Sequence, residues 1–96
     1  MPSEIKQVLV QIEEEHLACR RGYNGLVAMT RVEYDERQQK IHAHHGRLLE
    51  LVGDKATTFV DETFRSADLL FERELVLFYK NQARRAKEGS HANIQR

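Results

Sequence analysis

The heptapeptide RRGYNGL, residues 20–26, determines whether the first half of this chain forms one helix or two. Gly22 and Gly25 suggest a turn, because glycine is common where a chain changes direction sharply. Apolar residues on both sides nevertheless keep one helical phase. Those sharing an arc of roughly 100° on a helical wheel are Ile5, Val8, Leu9, Ile12, Cys19, Tyr23, Leu26, Val27, Tyr34, Ile41, Leu48 and Val52.

The preserved phase favours a single helix over residues 3–52, since an interior glycine costs only ~1 kcal/mol. The alternative is a break near Gly22 and Gly25, which would divide this segment and produce a three-helix bundle. Gly53 is placed to end the first segment. The two interpretations differ in how much apolar surface one chain can cover by itself.

A second helical segment follows Gly53, and its apolar residues also share one side. They are Ala56, Phe59, Val60, Thr63, Phe64, Ala67, Leu70, Phe71, Leu77 and Phe78. We predict a helix over residues 54–87, ended by Gly89 and followed by a flexible tail over 89–96. Helices joined by so short a connection fold back on each other. The chain is therefore predicted to be an all-α antiparallel hairpin forming a single domain, residues 1–96.

Composition supports the helical class and argues against several functions. Charged residues make up 31% of the chain and hydrophobic residues 41%, with one proline, a profile typical of long helices. The net charge is zero, which does not favour nucleic acid or a membrane surface as partner. Cys19 is the single cysteine, and no apolar run is long enough for a signal peptide or a membrane span. We expect a cytoplasmic protein.

Apolar residues outside the main stripes predict a partner chain. Leu69, Leu75 and Val76 lie on a second face of the later helix, which two helices alone cannot cover. Ala18, Gly22 and Gly25 form a row of small residues where another helix could approach closely. These six residues are the predicted interface of a homodimer, which would form a four-helix bundle.

Polar residues on the inward faces need partners of their own. In an antiparallel hairpin that turns at Gly53, Glu74 would lie opposite the region of Tyr34, one turn from Arg37. We therefore predict a buried polar cluster of Tyr34, Arg37 and Glu74. A structural ion pair is the simpler interpretation, and a ligand pocket is the functional one.

Two pairs of residues have the spacing of metal ligands. Glu13 and His16 form a Glu-x-x-His unit, and His42 and His45 share one side of a helix. A solvated position near a turn and a hydrogen-bonded core histidine are the simpler explanations. The sequence contains no phosphate-binding loop, nucleophile elbow or paired cysteine motif, and we predict no catalytic residue, metal or cofactor.

The function that these patterns favour is a non-enzymatic protein-interaction or regulatory module acting as a homo-oligomer. The alternative is a helical bundle that binds a small ligand or metal through inward His, Arg and Glu residues. A basic segment near the carboxyl end, with Lys80, Arg84, Arg85 and Lys87, could contact phosphates, but it is also typical of a solvated helix end.

Overall fold

Three helices make up the part of the chain that the computed structural model describes, which is residues 3–94 for the backbone and 3–88 for side chains. They are α1, Ser3–Tyr23; α2, Arg31–Val52; and α3, Lys55–Ile94. The all-α class is confirmed. The prediction of one helix over residues 3–52 is wrong, and the alternative with a break near Gly22 and Gly25 matches the structure.

Backbone hydrogen bonding explains why α1 ends where it does. Gly25 has a φ of 77°, in the left-handed region that glycine enters without a steric penalty. The Leu26 N–H donates to the Arg21 carbonyl at 2.9 Å, and the Gly25 N–H donates to the Gly22 carbonyl at 3.2 Å. These two bonds form a Schellman motif, which satisfies the last carbonyls of a helix. Leu26, the residue after Gly25, packs against the buried cluster of Leu17, Ala67 and Phe71.

The segment after the break is held close to α1 and then starts a new helix. A Cβ added at Gly22 would lie 2.5 Å from Met29 Sδ and 2.7 Å from Met29 Cβ, so this close approach requires glycine. Thr30 accepts a hydrogen bond from the Glu33 N–H at 3.1 Å and is the N-cap of α2. The Thr-x-x-Glu spacing is the sequence signature of a capping box.

Ion pairs between helices define their relative directions. Glu4 and Glu15 of α1 pair with Arg47 and Arg37 of α2, in reverse order along the chain. The α1–α2 pair is therefore antiparallel. His16 and Arg21 of α1 pair with Asp68 and Glu74 of α3 in the same order. The α1 and α3 helices are therefore parallel, so the chain runs up, down and up.

Most of the buried apolar residues form two clusters along the bundle. The first core contains Ile5, Val8, Ile12, Leu48, Ala56 and Val60. The second core contains Leu17, Ala67 and Phe71, with Leu26 and Leu75 packed against it. Both predicted stripes supply most of these residues, because the phase of α2 continues that of α1 despite the break. The predicted stripes are wrong at four residues that are exposed, namely Tyr23, Val27, Leu70 and Leu77.

Helix α3 is almost twice as long as either of the other helices. It has 40 residues, compared with 21 in α1 and 22 in α2, or about 60 Å compared with roughly 32 Å. All side chains over residues 79–88, which we call the arm, are exposed. The radius of gyration is 18.2 Å, well above the roughly 12–13 Å of a compact domain of this length. The fold is thus a bundle with one projecting helix.

The predicted end of the last helix is also corrected. The prediction placed a stop at Gly89 and a flexible tail over 89–96, whereas α3 continues to Ile94. Glycine ends a helix where its backbone turns left-handed, but inside a helix it costs only about 1 kcal/mol. Gln95 and Arg96 lie outside the described residues.

Candidate functional site

The outer side of α3 carries exposed apolar side chains opposite the two cores. Leu69, Val76 and Leu77 are 57%, 53% and 60% exposed, and Tyr79 at the start of the arm is also exposed. Because residues three, four and seven apart share one side of a helix, Leu69 and Val76 are aligned. We call the side that contains Leu69, Glu72, Arg73 and Val76 the outer face of α3.

A shallow groove runs along this outer face. Its volume is about 360 Å³, and it is lined by Leu69, Glu72, Arg73, Val76 and Leu77. Two charges of opposite sign thus lie between two apolar residues. Exposed apolar side chains that lie together on one helix face can serve as a contact surface for another protein.

Only part of the predicted interface lies on this face. Leu69 and Val76 do, whereas Leu75 is half-buried and packs against the second core. The second core, against which Leu26 also packs, thus covers Leu75 within its own chain. Whether Leu69 and Val76 contact a partner stays a prediction.

The row of small residues has a different role from the one predicted. Gly22 accommodates Met29 of its own chain, and Gly25 takes the left-handed conformation that ends α1. Ala18 is half-buried. Since the helix stops before Gly25, Ala18, Gly22 and Gly25 do not form a continuous helical row. The predicted approach of another helix along this row is therefore wrong, because the row is not continuous.

The predicted cluster of Tyr34, Arg37 and Glu74 is not formed. Arg37 donates to Glu15 at 2.9 Å, and Glu74 accepts two hydrogen bonds from Arg21, at 2.8 and 2.6 Å. All three predicted members are half-buried rather than buried. The predicted pairing assumed that the first helix faced the last in antiparallel register. The break instead makes α1 parallel to α3 and brings Arg21 to Glu74.

The Arg21–Glu74 pair fixes the register of α1 against α3. Both guanidinium bonds are made to different carboxylate oxygens, which is the two-pronged geometry that Arg forms best. These hydrogen bonds lower the pKa of Glu74 and raise that of Arg21. The side chains are 36% and 38% exposed, so water screens the pair and limits its contribution to stability.

A second contact between α1 and α3 combines charge and aromatic stacking. The His16 ring stacks on Phe64 with centroids 4.4 Å apart, and the Arg20 guanidinium lies 4.8 Å from the centre of the Phe71 ring. Asp68 lies between them, 2.7 Å from His16 Nε2 and 3.5 Å from Arg20 Nε. A guanidinium over a ring is stabilising. The cluster holds α3 against α1 next to the outer face.

The candidate metal ligands do not come together. His16 is hydrogen-bonded to Asp68, as the simpler interpretation expected. Glu13, the other member of this pair, is half-buried. His42 is exposed, and His45 is half-buried with its Nε2 atom buried and without a hydrogen-bond partner among the described atoms. Within the described residues, no group of three or more His, Cys, Asp or Glu side chains is placed to hold a metal ion.

A groove between α1 and α2 is the site that the sequence did not indicate. Tyr23 and Tyr34 lie with ring centroids 6.4 Å apart and line two adjoining grooves. One has a volume of about 400 Å³ and includes Met29. The other is about 360 Å³ and is lined by His16, Cys19, Arg20, Tyr23, Tyr34 and Gln38. The break between the helices creates this space, so a continuous-helix prediction could not reveal it.

Cys19 forms part of the floor of the second of these grooves. The thiol is buried and free. Burial raises its pKa, and the nearby Gln38 amide and Arg37 guanidinium only partly oppose this effect. A thiol of raised pKa is protonated and a weak nucleophile at neutral pH. Its position agrees with the interpretation of Cys19 as a small buried apolar residue.

Comparison with protein-family models, curated proteins and solved structures finds no match to this chain at the level of sequence or fold. Within the described residues, none of the helices combines the length and apolar character needed to cross a bilayer. The functional argument therefore depends on the surfaces themselves.

Proposed function

We propose that this chain is a non-enzymatic protein-interaction or regulatory module that acts as a homo-oligomer. The observation that supports the proposal is the outer face of α3, where Leu69, Val76 and Leu77 are exposed beside an arm that has no support from its own bundle. An isolated helix as short as the arm is marginal in water. A partner that packs along α3 would stabilise the arm and cover these side chains. A single buried cysteine suits a reducing compartment such as the cytoplasm.

The test is the molar mass of Val76→Asp in solution, measured by light scattering over a range of protein concentrations. A carboxylate at the centre of an apolar contact has to be desolvated, so the variant should be monomeric where the unmodified chain is oligomeric. Val10→Asp is the matched control, because Val10 is about as exposed but lies on α1. A monomeric unmodified protein at high micromolar concentration would contradict the proposal.

The groove between Tyr23 and Tyr34 supports a second candidate function, the binding of a small ligand. Its volume of about 400 Å³ lies within the range of ligand pockets. Two aromatic rings next to Arg20 suit a small aromatic anion. The metal-binding form of this alternative is not proposed, since within the described residues no group of three or more His, Cys, Asp or Glu side chains is placed to hold an ion.

Titration with benzoate, followed by NMR chemical shifts of the tyrosine rings, tests this second function. Saturable shifts of Tyr23 and Tyr34 that disappear in Tyr34→Ala would support it. Tyr79→Ala is the control, since Tyr79 is exposed on α3 away from the groove. Shifts that grow linearly and equally for all tyrosines would count against a site.

A further inference from the structure

The outer face of α3 is self-complementary about its own centre. Glu72 and Arg73 are adjacent and exposed, and Leu69 and Val76 lie three residues to either side of them. A two-fold axis between residues 72 and 73 would place each of these groups opposite its complement. Reading the face in either chain direction gives the same order: apolar, charged, charged, apolar.

The charges farther along α3 follow the same arrangement. Asp61 and Glu62 are exposed on the amino-terminal half, while the arm carries exposed Lys80, Arg84, Arg85 and Lys87. Among the described residues 3–88, none of these six side chains forms an ion pair. On this face the acidic pair thus lies before the centre and Lys80, Arg84 and Lys87 lie after it, whereas exposed Arg65 is a basic group on the amino-terminal half and Arg85 is on the other side of the helix.

We propose that the occupant of the outer face is a second copy of this chain, with the two α3 helices antiparallel about a two-fold axis between residues 72 and 73. This proposal depends on the homo-oligomer proposed above. Position n of one helix then faces position ~145 minus n of the other, as a closed two-fold contact requires. Leu69 packs on the partner's Val76, and Glu72 pairs with the partner's Arg73, each contact occurring twice.

The same register explains the arm. Arg84 comes opposite the partner's Asp61, and Lys87 comes within about one helical turn of the partner's Glu62. The arm of each copy therefore lies along the first half of the other α3, where Arg84 meets opposite charge and Lys80 comes opposite the partner's Arg65. Parallel helices in matching register would instead place Glu72 against Glu72 and Arg73 against Arg73, which is repulsive.

The test exchanges charges at the centre of the contact. Glu72→Arg alone puts two arginines opposite each other twice per dimer, and Arg73→Glu alone does the same with two glutamates. Each variant should raise the dimer dissociation constant about tenfold or more. An equimolar mixture of the two restores both ion pairs, so heterodimers should form with at least the affinity of the unmodified chain. Analytical ultracentrifugation of each variant and of the mixture measures this.

Matched controls remove the effect of net charge. Glu36→Arg and Lys40→Glu make the same charge changes at exposed positions on α2 and should leave dimerisation unchanged. Circular dichroism of all four variants checks that the helices are retained. Folding should be retained, because each altered side chain is exposed.

Disulfide trapping determines the direction of the helices. A mixture of Leu69→Cys and Val76→Cys should cross-link rapidly under mild oxidation, whereas either variant alone should not, and buried Cys19 does not compete. Cross-linking of Leu69→Cys with itself would show a parallel pair and overturn the proposal. If Glu72→Arg and Arg73→Glu both dimerise as strongly as the control variants, the proposed register is wrong, but the homo-oligomer proposal is not affected. An unmodified chain that is monomeric would contradict both the antiparallel register and the homo-oligomer.

Discussion

At the scale of single residues, two glycines and one arginine have the largest consequences. Gly25 ends α1 through its left-handed backbone, and Gly22 leaves room for Met29. Arg21 binds Glu74 and thereby positions α3 relative to α1. The glycines could be recognised from the sequence as possible breaks, but the arginine partners could not, because they depend on which helices become neighbours.

Gly25→Ala should destabilise the fold by about 1–2 kcal/mol, because an L side chain in the left-handed region meets the adjacent carbonyl. Gly46→Ala is the matched control, since Gly46 lies inside α2 with no atom near its position for a Cβ. That change should stabilise the protein by about 0.5–1 kcal/mol. Urea unfolding followed by circular dichroism compares the two. Equal effects would contradict the role assigned to Gly25.

The Arg21–Glu74 pair predicts a loss of stability in acid. Its hydrogen bonds hold the pKa of Glu74 below the usual value of 4.5. The stabilisation is therefore present above pH 4.5 and is lost as the pH falls through the lower pKa of the folded state. The free energy of unfolding of Glu74→Gln should therefore change less between about pH 6 and about pH 3 than that of the unmodified chain does.

The expected difference between Glu74→Gln and the unmodified chain is at most about 1 kcal/mol, because solvent screens a pair exposed to this extent. Glu36→Gln is the control, since Glu36 is exposed and forms no ion pair among the described residues. Identical pH profiles for Glu74→Gln and the unmodified chain would show that the pair adds nothing to stability.

At the scale of helices, the ends of each element follow from local chemistry. The Schellman motif at Gly25 ends α1, Thr30 starts α2, and Gly53, with a φ of 61°, ends α2 as predicted. The capping box at Thr30 and Glu33 was readable in the sequence. The uninterrupted apolar phase nevertheless favoured a continuous helix, since periodicity reports which side is buried and not whether the backbone is continuous.

Thr30→Ala should cost about 1 kcal/mol by removing the cap of α2. Thr58→Ala provides the comparison, because Thr58 is exposed inside α3, where alanine is the better helix former. Thermal unfolding should show a lower midpoint for the first variant and an unchanged or higher one for the second. An unchanged midpoint for Thr30→Ala would show that the capping bonds are replaced by water without cost.

At the scale of the whole molecule, the main feature is the inequality of the three helices. Two short helices and the first half of α3 bury two apolar cores, and the arm extends beyond them. The longest dimension of the chain is 65 Å. The molecule thus combines a small bundle with a projecting arm whose side chains are exposed over residues 79–88.

The proposed antiparallel dimer predicts a particular shape. Its two-fold axis lies close to the middle of α3, so the two long helices overlap over most of their length. Small-angle X-ray scattering should therefore give a maximum dimension close to that of one chain, about 65–75 Å. Dimers joined only at the tips of their arms would exceed about 100 Å. A value of that size would contradict the overlap.

The sequence by itself determined the helical class, most of the buried residues of α1 and α2, the end of α2 at Gly53 and the surplus of apolar surface on α3. These properties follow from hydrogen bonds and periodicity within short segments. Only the tertiary structure decided that the chain breaks at Gly25, that Arg21 rather than Arg37 meets Glu74, and that Leu75 is covered while Val76 is not. A glycine inside a helix costs only about 1 kcal/mol, which is too little to predict a break, and the packing of Leu26 and Met29 further favours the broken arrangement. Each pairing between helices, such as Arg21 with Glu74, depends on the helix directions that the break creates.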